Sequence, residues 1–196
     1  MTLKTPYQIK LIDNYEFDEV ASAMQKCTRR GHEYEACWWA YVLHTSGFHK
    51  YMWRRLVIIA SEDIGNATPD AAVLVSSLLQ NYNYAITATN RNKNDALVFP
   101  FQAISFLCRA VKTREADSLA NLIKTEYEQG KRLEVPDFAL DMHSKRGRQI
   151  HGAWQDGSQA EIDERHRKWF DEFAKVEPDA GDDKYVAKLR KLKGVK

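Results

Sequence analysis

Long apolar runs are missing from this sequence. No stretch approaches the roughly 20 apolar residues that a bilayer-spanning helix needs, and the opening MTLKTPYQIK lacks the apolar core of a secretion signal. Cysteine is scarce and unpatterned: Cys27, Cys37 and Cys108 are odd in number and show no CxxC or zinc-ligand spacing. They read as reduced core thiols, which places the protein in the cytoplasm or at the nucleoid. No run alternates apolar and polar residues between turn signals, so strands are not expected. Signatures of catalysis are missing as well. There is no GxxxxGKS/T phosphate loop, no GxGxxG turn after a strand, no HExxH and no GxSxG. Nucleotide hydrolysis by this chain alone is therefore not expected, and neither is a cofactor or a resident metal.

What is present has helical period. Phe17, Val20, Ala21, Met24 and Cys27 recur at three- and four-residue steps after Asn14, a candidate cap. Ala36, Trp39, Ala40 and Leu43 form a second stripe, ended by Thr45-Ser46-Gly47. A third helix is followed by a fourth from Pro69 to about Thr87, then a polar break at residues 90–95. Further helices are expected from Pro100 to Val111 and after Thr113. The reading is an all-α bundle over residues 1–130, an irregular arm plus an amphipathic helix over 131–176, and an acidic linker with a basic tail over 177–196. Trp38 and Trp39 are neighbours on one helix, so their side chains diverge by about 100° and cannot both enter one core. One of them is expected at an interhelix seam or a subunit interface. His44 and His49 read as caps or surface residues.

The third helix carries an anomaly. Met52, Trp53, Leu56, Val57, Ile59, Ala60 and Ile64 share an apolar arc, with Arg54, Arg55, Ser61 and Glu62 opposite and Ile58 among them. Gly65 then reads as a C′ glycine, Thr68 as an N-cap, Pro69 as N1 and Asp70 as a first-turn acid. Asp63, however, points into the apolar arc at the negative end of the helix, where a carboxylate is disfavoured. Either it accepts hydrogen bonds from the free N–H groups of the next helix around Thr68 to Ala71 or pairs with an arginine, or it is a binding or catalytic group.

Charge is distributed unevenly around a net +2. Lys184, Lys188, Arg190, Lys191, Lys193 and Lys196 occupy a C-terminal stretch without an acid, and Lys145, Arg146 and Arg148 lie between His143 and His151. Lys145, Arg146, Arg148, Lys188, Arg190, Lys191 and Lys193 are the candidate nucleic-acid contacts, since lysines and arginines release counterions from phosphates. Asp141, His143 and His151 are an alternative set of metal ligands, which on this scaffold would make a metal-dependent nuclease or hydrolase.

Arg54-Arg55-Leu56-Val57, Ala60-Ser61-Glu62-Asp63-Ile64-Gly65, Ala67 and Pro69 together resemble a signature of the RarA/MgsA family, AAA+ ATPases that act at stalled replication forks. It lies in the family's C-terminal region, beyond the ATPase and lid domains. Glu35 to Leu43 is similar to the helix before it, and Gln102-Ala103, Phe106-Leu107, Arg109-Ala110 and Lys112-Thr113 resemble a later family segment, with Val111 where proline is usual. Val135-Pro136 and His143-Ser144-Lys145 are more faintly similar. The resemblance implies a helical bundle like the clamp-loader collar that assembles as a homotetramer, with Arg54, Arg55, Ser61, Glu62, Asp63 and Gly65 as its structural signature. With the ATPase portion missing and Met1 at its start, the chain is expected to be a stand-alone, non-enzymatic oligomerisation and DNA-association module of replication or repair. Its expected partners are copies of itself, DNA, and a replication ATPase or clamp-loader subunit; an adaptor or inhibitor of such a complex is the alternative. Asp63 then reads as structural, tying one helix's end to the start of the next.

Overall fold

A computed structural model describes residues 9–88 and 96–176. Among the described residues there is no strand, only an isolated antiparallel bridge between Lys10 and Glu16, so the fold is all-α. Among the described residues no helix is long and apolar enough to cross a membrane. The chain forms two compact units, Met1–Gly130 and Lys131–Lys196. The break expected at 90–95 and the linker and tail after 177 lie outside the described residues.

The first unit holds α1 (Phe17–Arg30), α2 (Glu33–Thr45), α3 (His49–Ile59), α4 (Asp70–Ala88), α5 (Val98–Arg109) and α6 (Glu115–Glu128). Apolar residues at helical spacing supply one core. It takes Phe17, Val20 and Met24 from α1, Ala36, Ala40 and Leu43 from α2, and Met52, Trp53, Leu56 and Ile59 from α3. Opposite these stand Ala71, Val75, Leu78 and Tyr82 of α4 and Ala103, Ile104 and Leu107 of α5. Each fully buried Val, Leu, Ile or Met among them contributes about 1.5–3 kcal/mol from its loss of water contact. Val57, expected on the buried arc, is instead exposed, because its place on α3 falls at the margin of the apolar stripe.

Three local readings are corrected. Asn14 does not cap α1: it sits with φ +64° in a short turn, and Glu16 immediately precedes the helix. His44 is not a surface residue but is buried, with its Nε2 3.1 Å from the Tyr82 hydroxyl. Thr68 does not spend its hydroxyl on the start of α4; it donates to the Val111 carbonyl at 3.0 Å and so ties that start to the chain beyond α5.

The second unit contains α7 (Lys145–His151) and α8 (Gln159–Lys168), so the stretch read as irregular includes a helix. Ser144 caps α7 by accepting from the Gly147 N–H at 2.9 Å. Gly147 is packed so tightly that a Cβ would lie 1.8 Å from the Asp141 carbonyl oxygen, and only glycine allows that approach. A seven-residue helix is less than two turns long, too short for periodicity to announce it. Ser158 and Glu161 form a capping box for α8, and a π-turn, Trp169–Phe173, continues it.

Candidate functional site: a carboxylate node and two exposed surfaces

The signature residues sit where α3 changes its hydrogen bonding. Ala60–Ile64 is a π-turn, closed by the Gly65 N–H donating to the Ala60 carbonyl five residues back. Gly65 itself adopts φ +52° and ψ −145°, backbone that only glycine takes without strain, and Thr113 packs 3.3 Å from where a Cβ would be.

This turn brings Glu62 and Asp63 to α1 and to the entry of α6. Asp63 is completely buried. Its Oδ1 accepts from Arg29 Nε at 2.6 Å and lies 3.5 Å from Arg114 Nε, while Gln25 reaches Oδ2 at 3.5 Å. Glu62 lies 3.2 Å from an Arg114 terminal nitrogen and 3.5 Å from one of Arg29. Arg114 also pairs with Asp117 at 2.6 Å, and Arg55 donates to the Gln25 side-chain oxygen. Of the two structural expectations for Asp63, pairing with an arginine is what the structure shows, and the tie to the start of α4 is replaced by ties to α1 and to the entry of α6. Arg54 and Ser61 face solvent. Nothing local in the sequence pointed to Gln25, Arg29 or Arg114, because Arg29 and Asp63 are 34 positions apart.

A second polar tie joins α2 to α5. Glu33 accepts from Arg109 Nε at 2.8 Å and a terminal nitrogen at 2.7 Å, and from the Ser105 hydroxyl at 2.8 Å. The Arg109 hydrogen bonds, followed by the Ser105 one, hold the Glu33 carboxyl below its ordinary range. Near it, burial pushes the Cys37 thiol up to about 11 and the Cys108 thiol up to about 12, which keeps both protonated and unreactive at neutral pH.

Two rows of side chains remain open on this unit. Tyr34, Trp38 and Tyr41 follow one another along α2, with Trp38 50% exposed. Trp39 turns the other way, edge-on to Tyr15 at 5.5 Å. On α6 no residue is buried, and Leu119, Leu122 and Ile123 are more than half exposed on one face.

In the second unit Lys145 and Arg146 are exposed at the start of α7. Arg148 turns back, donating through Nε to the Met142 carbonyl at 3.0 Å. The metal set does not assemble. Asp141 Oδ2 is engaged by His143 Nδ1 at 2.7 Å, a bond that holds the Asp141 carboxyl below its ordinary range, whereas the His151 ring packs on Phe173 at 5.4 Å. No group of three metal-ligating side chains occurs among the described residues. Lys188, Arg190, Lys191 and Lys193 lie outside them.

No curated protein matches the chain. A family model described as MgsA AAA+ ATPase C terminal matches residues 33–156. That span starts with α2 and ends between α7 and α8, so it contains Glu62, Asp63 and Arg114 but not Arg29. Covering more than half of the sequence, the match shows that the chain belongs to the MgsA AAA+ ATPase C-terminal family.

Proposed function

We propose that this chain is a non-enzymatic, MgsA-type helical assembly module of DNA replication or repair, which self-associates and contacts DNA through its basic segments. The observation that carries the reading is α6. A helix of 14 residues is marginal on its own in water, and most helices in proteins are stabilised by burying an apolar face. This one is held at its N-terminal end by Arg114, Asp117 and the Thr113 hydroxyl, which accepts from the Glu115 N–H at 3.2 Å. Its leucines and Ile123 stay exposed along the rest. A second copy of the chain, apposing the same row, supplies the missing burial.

DNA contact is supported by α7. Lys145 and Arg146 stand in the first turn of a helix with no acid there, the end where cations are disfavoured by roughly 0.3–1 kcal/mol each. Phosphate neutralisation offsets that cost.

Size-exclusion chromatography with light scattering tests the assembly. The expected species is larger than a monomer, a tetramer by family likeness, and Leu122→Lys with Ile123→Lys returns it to monomer with the helical circular dichroism of each subunit largely kept. A strict monomer at high concentration overturns the self-association.

A further inference from the structure

The second unit contains a ring-lined hollow that the assembly reading does not use. Trp154 forms part of its wall and is the ring that the others meet. The His166 ring lies 5.6 Å away at 34°, close to an offset stack, and Trp169 lies 6.0 Å away at 65°. The His143 ring meets it edge-on at 5.4 Å, and Trp169 in turn packs on Phe170 at 5.0 Å. His143, Trp154, Gln155, Ile162, His166, Trp169 and Phe170 line a cavity of 640 Å³, within the range of roughly 300–1,000 Å³ typical of small-ligand sites. His143 is 66% exposed, which leaves the mouth open to solvent.

The chemistry of the walls selects the ligand. Aromatic faces favour a planar ring, and Gln155, His166 and the His143 nitrogen that Asp141 does not engage offer hydrogen-bonding groups. No carboxylate lines the cavity, as expected if the guest is not a cation. The cations sit outside it. Arg148, bonded to the Met142 carbonyl beside His143, lines a neighbouring hollow together with His143, Trp154, Gln155 and Asp156. Lys145 and Arg146 precede it on α7. Rings within and the Arg148 guanidinium beside them match a nucleic acid strand whose base is unpaired, since a paired base has both faces covered by the stack.

We infer that the Trp154 hollow takes an unpaired nucleobase of single-stranded DNA, with α7 holding the flanking phosphates. The inference rests on the DNA-association reading and adds to it a preference for bases over backbone. It also crosses the limit of the family match: Trp154 lies inside residues 33–156, whereas Ile162, His166, Trp169 and Phe170 lie outside.

The test compares two fluorescent strands of equal length and charge, an oligothymidylate of about fifteen nucleotides and its abasic counterpart, by anisotropy with the full chain. The expected result is that the base-bearing strand binds about tenfold tighter, as one stacked base provides. Trp154→Ala removes that advantage and leaves the abasic affinity unchanged. Trp154→Phe, which keeps an aromatic face in the same fold, retains most of it. Lys145→Ala with Arg146→Ala weakens both strands alike. Equal binding of both strands by the unaltered protein sinks the base pocket and leaves DNA association standing. A preference that survives Trp154→Ala also overturns the pocket, and binding of neither strand removes both readings.

Discussion

Arg29 and Arg114 share the carboxylates of Glu62 and Asp63, so what a substitution at Asp63 does depends on where those guanidinium groups can go. Both are partly exposed, at 32% and 47% of their side-chain surface, and can recover water when the acid is removed. That argues against the larger penalty of an isolated buried charge and for the smaller one of a lost, partly shielded charge-assisted bond. Asp63→Ala is expected to destabilise the fold by about 1–3 kcal/mol, lowering the melting temperature by roughly 2–4 °C per kcal/mol. Urea titration followed by circular dichroism measures it. An unchanged midpoint together with lost self-association would show that Asp63 serves an interface instead. An exposed pair such as Lys124–Glu128, 3.9 Å apart on the surface of α6, contributes far less. At this scale the sequence revealed that Asp63 was out of place, because charge and helical position are both local. It did not reveal Arg29 as the partner, because only the packing of α1 on the end of α3 brings the two together.

Among the elements, the clamp between α2 and α5 has its own signature in pH. Arg109 and Ser105 hold the folded-state pKa of Glu33 below the ordinary 4.5, so the clamp's stabilisation is complete above that value and disappears as the pH falls through the lowered one. Glu33→Gln is therefore expected to melt below the unaltered protein at pH 7, with the two curves converging under acid. Melting scans from pH 7 to about 3 check this; a gap that persists at the acid end assigns the loss to packing rather than charge. The helices α1 to α5 were legible because each runs three turns or more and carries an apolar stripe at three- and four-residue steps. The helix α7 was not, and the order inside the second unit comes from features without period: a capping serine, a glycine under a carbonyl, and rings that meet from separate segments. Trp154 lies in the turn before α8, His166 on α8 and Trp169 in the π-turn that continues it, so their gathering was invisible in the linear pattern.

For the whole molecule, charge arrangement decides more than net charge. A sum of +2 says nothing about DNA, whereas the acid-free stretch 184–196 carries six basic residues. Each phosphate that such residues neutralise steepens the fall of log affinity with log salt by about 0.7–0.9. Removing residues 184–196 is accordingly expected to weaken binding to any DNA strand and to flatten the salt slope, by two or more units if half of the six cations make contact. It should leave intact the preference for base-bearing over abasic strands proposed for Trp154. Anisotropy titrations between about 50 and 200 mM salt measure the slope. A truncated chain with an unchanged slope would restrict the electrostatic contact to Lys145, Arg146 and Arg148 on α7. The two measurements separate contributions that one affinity would merge: under the proposed reading the cations set how strongly a strand is held at a given salt, and the rings set which strand is preferred. Under the proposed self-association both effects would be multiplied, since each copy would bring its own basic residues and its own Trp154 hollow to a strand.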